Sequence, residues 1–215
     1  MNQITSGNSR LRIVLWAGAI VAAVLVLTFA TFRTGDDHSH RVTYTGEADI
    51  RANFSLINHE GRSVTEVDYA GRWLLVFFGF THCADICPTT LAYMGTVLDV
   101  LGLKADHVAP LFVTVDPKRD TAELLKEYVA AFHPRLIGLT GSEAQVSDAA
   151  ESFKVYYERF EGEGSPDGYL MAHAGHIYLM RPDGKFEAVF LESGQPPEAL
   201  AEEITMRIAK EMRNK

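Results

Sequence analysis

Eight consecutive residues, Trp73-Leu74-Leu75-Val76-Phe77-Phe78-Gly79-Phe80, carry no polar side chain and run into Thr81-His82-Cys83-Ala84-Asp85-Ile86-Cys87-Pro88. A continuous apolar run of this length reads as a strand buried on both faces, the kind found in sheets covered by helices. The proline that follows marks a helix start, because an imide nitrogen in the first turn forfeits no hydrogen bond and its fixed φ suits the helix. The spacing predicts a helix from Pro88 to about Leu103. A buried strand handing over to a helix through two thiols leaves few architectures open.

The rest of the chain narrows them further. Val108 to Val115 reads as a second buried strand, closed by Asp116-Pro117. Thr121 to Phe132 reads as a helix with Asp120 as its N-cap. Leu136 to Thr140 follows as a short strand and Ser142 to about Lys154 as another helix. His176 to Met180 and Phe186 to Leu191 form a predicted hairpin around Pro182-Asp183-Gly184, and a final amphipathic helix runs from about Pro197 to Met212. Upstream, Phe54 to Ile57 alternates like a short strand before a turn at His59-Glu60-Gly61-Arg62. Alternating strands and helices ending in a hairpin and a helix predict an α/β layer fold over residues 46–215. By analogy of element order it is a thioredoxin-like fold.

From Ile13 to Phe32 there are twenty residues without a charge. As a helix they span about 30 Å, the thickness of a bilayer's hydrocarbon core. Arg10 and Arg12 precede them and Arg33 follows, a balance that favours a cytoplasmic N-terminus over residues 1–12. A cleaved signal peptide is the competing reading; its apolar region is shorter and ends at small residues, unlike Thr31-Phe32-Arg33. Residues 13–32 are therefore expected to be a transmembrane anchor and residues 33–45 a polar linker, in which His38 and His40 read as solvated. The expected location of the soluble domain is the periplasmic side of an inner membrane, or an equivalent outer compartment, where thiols need a reason to stay reduced. A formal net charge of -8 excludes a general nucleic-acid binder. Two cysteines exclude a disulfide-rich scaffold and a four-cysteine zinc site.

Those cysteines, Cys83 and Cys87, sit at the strand-to-helix junction. With a turn between them their Cα atoms can lie about 6 Å apart, within disulfide reach and close enough for both sulfurs to meet one metal ion. The positive end of the helix favours a thiolate, and Cys87 is expected to feel it. A structural disulfide would close too short a loop to stabilise much. The remaining chemistries are disulfide exchange and chelation of a soft metal, for which thiolate and imidazole together suit copper. Two thiolates leave such a site underfilled. The candidates for a third ligand are His59, His82, His107, His133, His173 and His176. Spacing does not choose between His173 and His176, which lie three apart and would face opposite ways on one strand.

Gly79-Phe80-Thr81-x-Cys83-x-Asp85-x-Cys87-Pro88-Thr89, then Val115-Asp116-Pro117-x-Arg119-Asp120-Thr121, then His173 ahead of Tyr178-Leu179-Met180-x-Pro182-Asp183-Gly184 resembles the SCO/SenC family. Its members are membrane-anchored, thioredoxin-like copper chaperones that help assemble the dinuclear copper site of cytochrome c oxidase. The resemblance covers about residue 50 to the C-terminus. It implies a copper ion, Cu(I) or Cu(II), held by Cys83, Cys87 and His173, with the copper-binding subunit of the oxidase as partner and other copper carriers or thiol reductants as further ones. Asp116 resembles an aspartate that the family carries near the site; a turn-capping role is equally open. Two departures stand out. Ala84 replaces a common proline. Ala172 and Ala174 replace residues around the histidine, a change expected to loosen the ligand ring, with His176 as a possible substitute.

Three other functions share these residues. A thiol–disulfide oxidoreductase would use Cys83 and Cys87 as a redox pair to keep a partner's copper-ligating cysteines reduced. A redox or copper sensor would use the same site to signal. A peroxidase is disfavoured, because the proline and threonine that precede a peroxiredoxin's reactive thiol are Phe80 and Ala84 here.

Overall fold

The structure is a computed structural model that describes residues 49–161, 168–191 and 194–213, together with residues 13, 15–19, 21 and 24, which are helical. The chain divides into two units, Met1–Ser39 and His40–Lys215. The linker 33–45, with His38 and His40, and most of the expected anchor lie outside the described residues.

The strands are β1 (Ser55–Asn58), β2 (Ser63–Thr65), β3 (Trp73–Gly79), β4 (Val108–Thr114), β5 (Ile137–Thr140), β6 (Tyr157–Glu161), β7 (Tyr169–His173), β8 (His176–Met180) and β9 (Phe186–Leu191). The helices are α1 (Ile86–Leu101), α2 (Ala122–Ala130), α3 (Glu143–Ser152) and α4 (Pro197–Arg213). Seven strands form one sheet in the order β2-β1-β5-β4-β3-β8-β9, and β6 and β7 form a separate ribbon. Every residue of β3 and β4 is buried, as their unbroken apolar runs require. The α/β expectation and its thioredoxin-like order hold, with α1 packed on α4, α2 on β5 and α3 on β1.

Topology explains what meets at the site. Strand β3 is parallel to β4 and antiparallel to β8. The C-terminal ends of β3 and β4 and the start of β8 therefore lie along one edge of the sheet. That edge collects the Cys83–Cys87 junction, the 116–120 loop and the histidine-bearing 173–176 turn.

Local differences from the sequence reading have physical causes. Helix α1 starts at Ile86, so Pro88 occupies its third position, still within the turn whose N–H groups lack helical partners. Helix α2 starts at Ala122 and is capped by the Thr121 hydroxyl, which accepts the Leu124 N–H at 3.3 Å. Asp120 is not the cap; its carboxylate is committed to the core side. The β6–β7 hairpin is an addition to the expected elements. Its register pairs Tyr157 with His173 and Glu161 with Tyr169. His173 ends β7 and His176 begins β8, so the two histidines belong to different strands and different sheets.

Among the described residues, one helical stretch, Ile86–His107, is long and apolar enough to cross a membrane. It is α1 plus the 3-10 turn after it, and Leu91, Met94, Val97 and Leu98 are buried in the core, so its apolarity is that of a core helix.

Candidate metal centre

The floor of the site is β3. At its end Gly79 has no side chain, and a Cβ there would stand 2.7 Å from Cys87 Sγ and 2.9 Å from the Phe112 ring. The glycine lets the sulfur of the first helical turn drop onto the sheet. Cys87 is accordingly buried, at 0% exposure. Cys83 precedes the helix in a turn closed by its own N–H to the Phe80 carbonyl at 3.3 Å, and is half-buried. Asp85 stands at the N-cap position without a side-chain cap bond. Instead the Cys87 N–H donates to Cys83 Sγ at 3.5 Å.

The two thiols are thereby unequal. The Cys87 thiol, the Cys83 partner within the pair, is the main reason that Cys83 is pulled down to about 3; burial opposes this, and His173 and the helix-end N–H groups assist. Cys87 moves the other way, pushed up by the Cys83 charge beside it and by burial. The expectation that Cys87 would be the thiolate is therefore reversed. Its sulfur lies inside the first turn, away from solvent, while the free N–H at the helix end points at Cys83. Both cysteines are free thiols.

The third group is His173. Its Nε2 lies 3.3 Å from Cys87 Sγ, and its Nδ1 lies 3.2 Å from the carbonyl oxygen of Ala174. A carbonyl can only accept, so Nδ1 donates to it, and Nε2 is the ring atom that faces the Cys87 sulfur. The ring meets Phe77 and Phe80 edge-on at centroid distances of 5.9 and 5.6 Å. A main-chain oxygen and two aromatic rings orient it.

Sγ of Cys83, Sγ of Cys87 and a ring nitrogen of His173 lie within 4.8 Å of one another. With bonds of about 2.0–2.3 Å, typical for imidazole and thiolate on a late first-row metal, the donors of a three-coordinate ion stand about 3.5–4 Å apart. The set fits a soft ion with little movement. It supplies one ligand too few for a closed structural zinc site.

The other candidate histidines are engaged elsewhere or open to solvent. His59 Nδ1 accepts the Gly138 N–H at 2.9 Å, and burial lowers its pKa. His82 is exposed and pairs with the Thr81 hydroxyl. His107 is exposed. His133 accepts the Arg135 N–H and lies 3.4 Å from Asp99. His176 packs edge-on to Tyr178 at 6.4 Å. Asp116 is 4% exposed and bonds to Arg119 and the Tyr169 hydroxyl, serving as a structural acceptor at the edge of the centre. Asp120, Thr81, Tyr169 and Gly79 were not legible as site residues from spacing alone. The one usable signal was the Gly-Ser-Pro-Asp-rich stretch 162–168, a turn composition that marks a hairpin connection.

The comparisons with known proteins agree with this geometry. The SCO1/SenC family profile matches residues 42–209. The SCO2-like protein of Rickettsia felis is 38% identical over 157 residues, covering 73% of this chain and 77% of the relative. The crystal structure of Arabidopsis thaliana ScoI with copper bound superposes with a TM-score of 0.69 at 39% identity, over 75% of this chain and 99% of that one. Yeast Sco1 with copper bound gives 0.68 at 32% identity, over 78% and 95%. A profile spanning most of the chain, a relative of this similarity and a shared α/β fold lead to one conclusion: this chain belongs to the SCO1/SenC family.

Proposed function

We propose that this protein is a membrane-anchored copper chaperone that carries copper on Cys83, Cys87 and His173 and delivers it to the copper-binding subunit of cytochrome c oxidase. One observation carries the reading: two sulfurs and an imidazole, from segments 86 residues apart, converge within 4.8 Å. A thiolate, a second thiol that ionises on metal binding and an imidazole make a soft donor set suited to Cu(I). Cys87 is enclosed, whereas Cys83 and His173 are half-buried, so a ligand from an acceptor reaches the ion from their side. Exchange one ligand at a time then transfers the cargo without unfolding.

The uncharged segment 13–32 supports an anchor with residues 1–12 in the cytoplasm, a linker over 33–45 and the domain 46–215 on the periplasmic side or its organellar equivalent. The inequality of the thiols favours a second activity, reduction of a partner's disulfide. The Cys83 thiolate attacks the partner disulfide, forming a mixed disulfide and releasing one partner thiolate. Cys87 gives its proton to His173 Nε2 and attacks Cys83 Sγ, which forms the Cys83–Cys87 disulfide and releases the second partner thiolate. A thiol reductant must then return two electrons.

X-ray absorption of the Cu(I)-loaded protein tests the main reading. Two sulfurs and one nitrogen are expected, with a sulfur lost in Cys83→Ala and the nitrogen lost in His173→Ala. Wild-type protein that holds no more copper than Cys83→Ala would refute it.

A further inference from the structure

The 116–120 loop supplies no ligand, yet it grips both elements that do. On one side, the Asp120 carboxylate, at 0% exposure, accepts the Thr81 N–H at 3.0 Å, the Thr81 hydroxyl at 2.6 Å and the Thr114 hydroxyl at 2.6 Å. Thr81 lies two residues before Cys83, in the turn that presents it. On the other side, the Tyr169 hydroxyl donates to both Asp116 oxygens at 2.9 and 3.2 Å, and the Arg119 Nε–H also bonds to Asp116. Tyr169 is 6% exposed, with the guanidinium carbons of Arg119 and Arg159 each 3.9 Å from its ring centroid. It begins β7, the strand that ends at His173.

The two grips share parts. Thr114 Oγ1 donates to Asp120 and accepts the Asp116 N–H at 2.9 Å. Arg119 also faces the Phe80 ring at 5.9 Å, and Phe80 backs His173. Buried bonds to charged groups are among the stronger neutral-pH constraints on a side chain. The β6–β7 ribbon needs such a constraint, because a two-stranded hairpin alone holds its position weakly.

We propose that Asp120 and Tyr169 are positioning residues of the metal centre: through the 116–120 loop they fix the turn before Cys83 and the strand before His173 relative to each other, so the donors are pre-arranged before a metal arrives. The inference deepens the copper-binding reading and rests on it. Ligands held by a second layer of hydrogen bonds bind metal about 10–100-fold more tightly than ligands left loose.

The experiment uses the full-length protein in two states. In the metal-free state, ring-nitrogen NMR of His173 reports its tautomer, and the alkylation rate of Cys83 at one fixed pH reports its turn. In the copper state, competition with a Cu(I) chelator reports affinity. Tyr169→Phe is expected to shift or broaden the His173 ring signals and to weaken Cu(I) binding about tenfold, while Cys83 alkylation stays within twofold. Thr81→Val, which removes one bond to Asp120, and Asp120→Asn are expected to change Cys83 alkylation more than threefold and leave the His173 tautomer alone. Unchanged His173 signals and copper affinity in Tyr169→Phe, or unchanged Cys83 alkylation in Thr81→Val, would overturn the proposal. Failure of the wild type to bind Cu(I) would instead defeat the functional reading, and the metal-free readouts would still judge the positioning.

Discussion

His173 Nε2 lies 3.3 Å from Cys87 Sγ although 86 residues separate them in sequence. Two strand directions create that contact. Strand β3 delivers the thiols at its C-terminal end, and β8, antiparallel to it, begins at the same edge. The turn between β7 and β8 must therefore hang over the thiols, and His173 is the residue that faces them.

That placement separates the two neighbouring histidines. His173→Ala is expected to weaken Cu(I) binding by at least about 10–100-fold, since changes one layer further out already cost that much. His176→Ala, on a different strand with its ring against Tyr178, is expected to leave affinity within about threefold. Chelator competition on both variants measures this. Equal losses would mean that His176 shares the role.

A second contrast concerns His59, a ligand candidate by residue type alone. Its Nδ1 is the acceptor for the N–H of buried Gly138. His59→Ala leaves that donor without its partner, a cost of about 1–3 kcal/mol. For a domain of this size each kcal/mol lowers Tm by about 2–4 °C. The expected result is a lower Tm in thermal unfolding with copper affinity unchanged.

Gly79→Ala should damage both stability and site. Its Cβ would stand 2.7 Å from Cys87 Sγ and 2.9 Å from Phe112 Cε2. Both belong to the packed floor, where overfilling costs about 1–3 kcal/mol. Calorimetry is expected to show a Tm lowered by several degrees, and Cu(I) competition a weakened site, because the enclosed sulfur must shift. A Tm and affinity equal to the wild type would show that the floor yields freely.

The elements most legible in the sequence were those with long, unambiguous signals. The apolar runs at Trp73–Phe80 and Val108–Val115 became fully buried strands, and Pro182-Asp183-Gly184 became the turn between β8 and β9. The pair Cys83 and Cys87 was legible because five consecutive residues of one junction hold both. What escaped depended on contacts between distant segments. Asp120 has the residue type and position of an N-cap, and only the approach of Thr81, 39 residues away, makes it a core acceptor. The ribbon β6–β7 escaped because four of the five residues of β6, Glu158 to Glu161, are exposed, so that strand has no buried face to give an alternating pattern. The reversal at the thiols has the same origin. Nearness to the helix end was read from sequence, but which sulfur is buried depends on Gly79, eight residues before Cys87, and on Phe112 across the sheet.

The inequality of the thiols yields a pH prediction. Cys83 is lowered to about 3, first by the Cys87 thiol beside it, and Cys87 is raised. An ordinary thiol titrates near 8.5, so at pH 5 only about one in 3,000 unfolded thiols is a thiolate, whereas folded Cys83 is ionised. Because the folded value is the lower one, the stabilisation from Cys83 is complete above the unfolded value and is lost as pH falls toward 3. Metal-free protein treated with iodoacetamide at pH 5 is therefore expected to be modified at Cys83 within the time that leaves Cys87 intact, as read by peptide mass spectrometry. Unfolding in guanidinium at the same pH should abolish the selectivity and slow the reaction, since the pair is then dispersed and both thiols regain their protons. Modification of Cys87 first, or equal slow reaction of both in the folded protein, would contradict the assignment of the thiolate to Cys83.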